Sequence, residues 1–335
     1  MKHVFFVYIA TSLLLALSSC KEKEQPKPPE VPVTLVMAEV NPPDTIVGRM
    51  DTAFKQKAEE LSNGSVTIDL YCSGILGDEA QVMSLIVKPE SSIQLARVSA
   101  SLASYGGQKS RLLSIPYTFS SDEHFWRFAA SPLAQEILDE PYENKLGVKG
   151  LFYGEEGFRH FFSTQKITTL ADIKGKKVRV SGAQVLQDLV EAFEAEPVTV
   201  AFTDLYATMQ TGLLDVADQP ITNYLSNAFN EIAPYMILDG HMLGAVQVLI
   251  NAAAWDALSD NQRAILTEAA QYASQYCRQI VDEANEKALT ALKNEGATIT
   301  ELADKRPWQA ECRAMITESS KDFPELYQRI LELDN

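Results

Sequence analysis

GFRHFFSTQKITTLADIKGKKVRV, from Gly157 to Val180, places two arginines, Arg159 and Arg179, in or beside strand-like runs twenty residues apart. Within it LADIKGKK reads as a surface turn with Gly175 at the tight bend. VRV then opens a short strand, and SGAQVLQDLVEAF follows as a helix. An arginine in a strand that a helix covers needs a partner, because its charge cannot be removed by deprotonation. That partner is either a carboxylate of the protein or one carried by a ligand.

Outward from this stretch, strands and helices alternate, which predicts α/β architecture. VTLVMA (33 to 38) reads as a strand, followed by a helix from about Asp44 to Leu61 that stops at Asn63 and Gly64. SVTIDLY is the next strand, then come a helix over Glu79 to Val87 and the strand SIQLARV. A second block runs GVKGLFYG, FRHFFS, KVRV and EPVTVAF with helices between, and AVQVLIN returns as an apolar strand. Units of this kind predict parallel sheets with a ligand crevice at the carboxyl ends of the strands. Ser259 and Gln262 form a capping box, and the helical pattern then continues from Asp260 to Lys293, stopping at Gly296. At 1.5 Å per residue that is roughly 50 Å, long enough to bridge two lobes. Two helices with an unmarked break are the alternative.

Lys2, the apolar run Val4 to Ala16 and the ending LSSC have the order of a secretory signal whose Cys20 sits in a lipobox-like position. The apolar run is too short to span a membrane. Lipidation of Cys20 would make it the mature N-terminus, and the charged, proline-rich KEKEQPKPPEVP (21 to 32) would be a tether. The expected product is exported and lipid-anchored to the cell envelope, with residues 33 to 335 as its binding domain. The net charge of −16 becomes −17 once Lys2 is removed, which argues against nucleic acid as a partner. Cys72, Cys277 and Cys312 fit neither a disulfide scaffold nor a zinc site, and read as buried small hydrophobes. His124, His160 and His241 are scattered without metal spacing or a nucleophile partner, and His160 reads as a packing residue. No phosphate-cradling loop is present, so neither enzyme nor cofactor is expected. The rival from another class is an exported hydrolase using Asp or Glu pairs.

Five segments in order carry a family resemblance: YCSGILGDEAQVM, SIPYTFSSDEHFWRF, DIKGKKVRV, VTVAFTDLYATMQTGLLDVADQP and ALSDNQRAIL. From residue 33 onward the chain resembles the solute-binding proteins of tripartite ATP-independent periplasmic (TRAP) transporters, the C4-dicarboxylate-binding type, although Cys72 stands where proline is usual. The resemblance implies a two-lobed periplasmic-binding-protein-like α/β fold with a ligand cleft between the lobes and a long helix spanning both. One lobe would take roughly 33–150 with 240–295, the other 151–239 with the C-terminal helices. It implies a receptor that binds a small organic acid without chemistry and delivers it to a membrane permease, or, as an alternative, a sensor reporting to a membrane receptor.

By position Arg179 matches the family arginine that forms a two-pronged salt bridge to the ligand carboxylate, a geometry that a guanidinium fork supplies and an ammonium does not. Arg159 matches a second arginine and Gln219 an amide often filled by asparagine, while Gln165 stands where some relatives place a further arginine. Phe202 matches an aromatic over the ligand and reads equally as core. In SIQLARVSAS, Arg97 sits in an apolar strand that ends at Ser99, and Glu79 is a candidate partner. Pairing within the protein and contact with ligand both remain open for Arg97. If Arg97 and Glu79 face the cleft, a sugar acid such as a uronate is favoured over a plain dicarboxylate. Glu39 and Asn223 are weaker candidates on similar grounds.

Overall fold

The computed structural model describes residues 31–100 and 107–334. Expectations placed on the leader, Cys20 and most of the tether lie outside the described residues. Within them the elements run β1 (Val33–Ala38), α1 (Ile46–Leu61), β2 (Val66–Tyr71), α2 (Glu79–Ile86), β3 (Leu95–Ser99), α3 (Asp122–Ala129) and α4 (Pro132–Glu143). There follow β4 (Val148–Ser163), β5 (Lys177–Val180), α5 (Gln184–Ala192), β6 (Glu196–Thr199), α6 (Leu205–Gln210), β7 (Val216–Pro220), α7 (Ile221–Ser226) and β8 (Tyr235–Asn251). The chain closes with α8 (Ala252–Ala257), α9 (Asp260–Asn294), β9 (Thr298–Glu301), α10 (Arg306–Ser320) and α11 (Pro324–Leu331).

The strands form one sheet of order β2-β1-β3-β8-β4-β7-β5-β6, with β9 paired to β8. Its outer parts are parallel, as expected: β1 lies between β2 and β3, and β5 between β6 and β7. The middle is not. β8 runs antiparallel to β3 and β4, and β4 antiparallel to β7, so the sheet is mixed where a purely parallel one was expected. GVKGLFYG and FRHFFS, read as separate strands, are one 16-residue strand. The register slips between Glu155 and Phe158, and Gly157 there has φ +84°. A left-handed residue interrupts the alternation of side chains, which splits one long strand into two short sequence patterns.

Apolar side chains gather on both sides of these crossing strands. Phe54 of α1, Phe125 and Phe128 of α3 and Val246 of β8 belong to the first lobe's core; Val178 and Val180 of β5, Leu189 of α5 and Trp308 of α10 pack in the second, where Phe162, Tyr224 and Phe229 form a further cluster. Burying each such side chain contributes roughly 1.5–3 kcal/mol. α9 is one unbroken helix of 35 residues, about 52 Å at 1.5 Å per residue. It buries Leu266, Cys277 and Val281 in the first lobe and Ala288 and Leu292 in the second. The Ser259–Gln262 capping box is formed. The architecture is thus a two-lobed mixed α/β fold with a long helix spanning both lobes. α10 packs on the second lobe, whereas α11 returns to the first through Leu326, Tyr327 and Ile330. All three described cysteines are free; Cys277 and Cys312 are buried, but Cys72, at the end of β2, is only partly so, a departure from the expectation for that thiol.

Candidate functional site

Strand alternation explains how Arg179 reaches a cavity. In KVRV, Val178 and Val180 enter the second lobe's core, so Arg179 between them faces the other way. It lines a cavity of about 300 Å³ to which both lobes contribute, with Asn41, Glu79 and Ser99 on one side and Arg159, Phe202, Gln219 and Asn223 on the other. Arg179 is 5% exposed and its Nε donates to the Val200 carbonyl at 2.9 Å. No carboxylate among the described residues forms an ion pair with it. Burial pulls the guanidinium down to about 10, against the pull of Asp218 and assisted by Arg159, so it remains charged at neutral pH.

The other two arginines are satisfied. Arg97, from β3, has its side chain 1% exposed and bonds Glu39 through Nε and Nη2, Glu79 at 2.7 Å and Glu156 at 3.3 Å. Against the desolvation of the buried group, these carboxylates hold its pKa well above the ordinary arginine value, Glu39 most strongly. Arg97 and Glu39 are therefore not among the lining groups. They form an ion cluster behind the cavity, and of the alternatives for Arg97 the internal pairing is what the geometry shows. Glu79 does reach the cavity, and its carboxylate also accepts from the Ser99 hydroxyl at 2.8 Å. That leaves Glu79 and Ser99 at the wall as a fixed acceptor and hydroxyl pair.

Arg159 lines the cavity while its Nε donates to Asp218 at 2.6 Å and its Nη1 lies 3.5 Å from Glu156. Asp218, Glu156 and Asn41 were missed in the sequence, and only the first two stand out there as charges, without any sign of what they pair with. Asp218 is a charge inside the apolar run VADQP, and Glu156 lies three residues before Arg159 in EEGFR. Behind Asp218, His241 Nε2 lies 3.4 Å from its carboxylate, and His241 Nδ1 lies 2.6 Å from Asp239. Burial opposes the charge on His241, but Asp239 and Asp218 outweigh it and lift the imidazole to about 9. Asp218 itself is held below the carboxylate range by Arg159 and His241 despite its burial.

Gln219 is 2% exposed, lines the cavity, and its side chain has no hydrogen-bond partner among the described residues. Asn223 donates to Asn41 at 3.2 Å across the cleft, while its Oδ1 is buried without a partner. Phe202, in a 3₁₀ turn, both lines the cavity and meets Phe229 edge-on at 6.1 Å. His160 lies outside this cavity, with Nδ1 accepting from the Gly240 N–H at 2.9 Å. Among the described residues no cluster of acids, histidines and cysteines has a metal-holding arrangement, and no helix is long and apolar enough to cross a membrane. Chemically the site offers one buried cation without an ion pair, Arg179, a second cation neutralised by Asp218 and Glu156, the amides of Asn41, Gln219 and Asn223, and the carboxylates of Asp78, Glu79 and Glu156. That set suits an anionic headgroup followed by hydroxyls.

The chain is 28% identical over 295 residues to the C4-dicarboxylate-binding periplasmic protein DctP of Rhodobacter capsulatus, an alignment covering 86% of this chain and 84% of that one. It is 24% identical over 247 residues to the sialic acid-binding periplasmic protein SiaP of Vibrio cholerae, covering 72% and 74%. Its structure is similar to that of a TRAP periplasmic solute binding protein of Pseudomonas putida F1 with bound D-glucuronate, at TM-score 0.85 and 22% identity over 89% of this chain and 96% of that one. It is equally similar to the sugar acid binding protein of Advenella mimigardefordensis in complex with galactonate, at TM-score 0.85 and 24% identity over 91% and 98%. Residues 37–322 match the model of the DctP family, and the chain belongs to that family, the bacterial extracellular solute-binding proteins of family 7.

Proposed function

We propose that this protein is the extracytoplasmic receptor of a TRAP transporter, that it holds a sugar acid by its carboxylate on Arg179, and that it passes the acid unchanged to a membrane permease. The observation that carries this reading is the contrast among three buried arginines: Arg97 and Arg159 are neutralised by the protein, and Arg179 is not. A buried guanidinium without a counter-charge is a costly arrangement unless a ligand supplies one. Glu79, Ser99 and Gln219 favour a polyhydroxylated acid over a plain dicarboxylate, because an acceptor carboxylate at the wall bonds hydroxyls and repels a second charge. Relatives bound to glucuronate and galactonate support the same class. In this reading Arg159 and Gln219 share the carboxylate, Asn223 and Phe202 close over the sugar, and Cys20 carries the lipid that keeps the receptor beside its permease.

The test is a thermal-shift screen of uronates, aldonates, C4-dicarboxylates and neutral sugars, with mass spectrometry of any acid released on denaturation. Ligand at about a hundred times its dissociation constant adds roughly 2.7 kcal/mol, several degrees for a chain of this size. A uronate or aldonate should give the largest shift. Stabilisation by neutral sugars alone would overturn the assignment.

A further inference from the structure

Arg159 lines the cleft, but His160, next along β4, lines a second cavity of about 350 Å³. That volume lies within the range of about 300–1,000 Å³ typical of small-molecule sites. Six segments converge on it: the turn at Tyr117, β4 with Phe158 and His160, α7 with Ile221, β8 with Gly240, α9 with Asn285, and the start of α10 with Lys305 and Gln309. Two polar groups that face it, His160 Nε2–H and the Lys305 ammonium, have no partner among the described residues. The Tyr117 hydroxyl and Asn285 Oδ1 lie behind the wall, buried without a hydrogen bond and with no accessible surface toward the cavity. His160 is 7% exposed, and because its Nδ1 accepts from Gly240 N–H, the neutral ring carries its proton on Nε2, for which no acceptor exists among the described residues. Lys305 makes no ion pair among the described residues, and its ammonium lies over Gly240, where a β-carbon would come within 2.7 Å of Nζ.

The nearby carboxylates are already engaged. Asp239 bonds His241 and the Phe161 N–H, Asp304 bonds Arg306, and Asp334 accepts from Ser120 and Arg127. Tyr117 also holds a left-handed backbone at φ +61°, strain of the kind that persists where surrounding structure fixes a side chain in place. An N–H donor buried without an acceptor costs about 1–3 kcal/mol, so the His160 Nε2–H beside the Lys305 ammonium favours an occupant that accepts from both. A cation and an N–H donor beside the ring of Phe158 match a carboxylate on an apolar body.

We propose that this cavity is a second ligand site, taking a small carboxylate with an aromatic or apolar body, its charge on Lys305 and His160 Nε2–H. The site is independent of the cleft and of what the cleft binds. Benzoate serves as the probe, followed by saturation-transfer NMR on the mature chain carrying Arg179→Ala, so that the cleft lacks its unpaired cation. Benzoate should bind, neutral benzamide at least tenfold more weakly, and Lys305→Gln added to Arg179→Ala should weaken benzoate at least tenfold. Lys305 is exposed, so this change leaves the fold intact, which a melting curve verifies. Equal affinity with and without Lys305, or equal binding of benzoate and benzamide, overturns the proposal. Absence of benzoate binding also overturns it and assigns the cavity to water.

Discussion

Three arginines sit in buried surroundings, and what distinguishes them is the supply of counter-charge. Arg97 has three carboxylates, Arg159 has two, and Arg179 has the Val200 carbonyl alone. Replacing Arg179 by alanine removes the only unneutralised guanidinium of the three, so a bound acid would lose its fork of donors, at about 2–5 kcal/mol. Affinity measured by calorimetry should fall roughly thirtyfold to several thousandfold, and Arg179→Lys should restore only part of it. The apo protein should melt close to the wild-type temperature, because no internal pair is broken; a badly destabilised apo protein with near-normal affinity would make Arg179 structural. Arg179 was legible in the sequence because a cation in an apolar strand stands out. The network around Arg159 was not, since the pairing of Asp218 with His241 and of His241 with Asp239 depends on β7 and β8 flanking β4. That network has its own titration. A histidine whose folded pKa of about 9 exceeds its unfolded value of about 6.5 stabilises fully below the lower value and loses that contribution as pH rises through the upper one. The melting temperature should therefore decline from pH 6.5 to 9 more steeply in the wild type than in His241→Gln. Asp51, Glu155 and Glu156, pushed upward by burial, are present in both proteins, so the difference between the two curves reports His241. Parallel curves would sink the assignment of a charged imidazole.

At the level of elements, α9 shows which local signals survive into tertiary structure. Ser259 accepts from Gln262 N–H at 3.1 Å, and the Gln262 side chain returns the bond to the Ser259 N–H at 3.0 Å, so both ends of the box were readable from four residues. Continuity of the helix was readable too, because neither Gly nor Pro occurs between Asp260 and Asn294. Ser259→Ala should cost about 0.5–2 kcal/mol, lowering the urea midpoint without changing the slope of the transition. A changed slope would mean that α9 frays separately and that the lobes no longer unfold together. Strand β4 behaved differently. Its alternation is broken at Gly157, where the α9 residue Asn285 approaches so closely that a β-carbon would lie 2.9 Å from its Nδ2. The glycine serves a contact with a helix more than a hundred residues away, and no local pattern could announce it. The parallel expectation for the sheet centre failed for a related reason. Strand direction there is set by two long shared strands, whereas the βαβ rhythm of the sequence reports only the outer parts of the sheet.

Across the whole molecule, the net charge of −16 would repel an acidic ligand, yet the cleft holds cations in its wall, so binding depends on excluding the rest of the protein's field and the solvent. Exclusion requires the two lobes to meet, and they touch at identifiable places. Asn41 bonds Asn223 at 3.2 Å, Asp44 accepts from Ser226 at 3.1 Å, and Gly74, with φ +67°, lies so near Thr203 that a β-carbon would stand 2.8 Å from the threonine methyl. A methyl group at position 74 would thus collide with Thr203 across this contact between the lobes. Gly74→Ala should weaken ligand binding by roughly tenfold, about 1.4 kcal/mol and within the range for overpacking a tight contact, chiefly through faster release. The left-handed backbone adds a strain to the same variant, and a double-mutant cycle separates the two effects. Thr203→Ala removes the methyl that is struck without altering the strain at residue 74. If closure is what the clash opposes, Gly74→Ala should weaken binding markedly in the presence of Thr203 and little in its absence, while its effect on the apo melting temperature stays the same in both backgrounds. An equal loss of affinity in both backgrounds would place the effect in the backbone of the loop and refute a lobe contact that controls release.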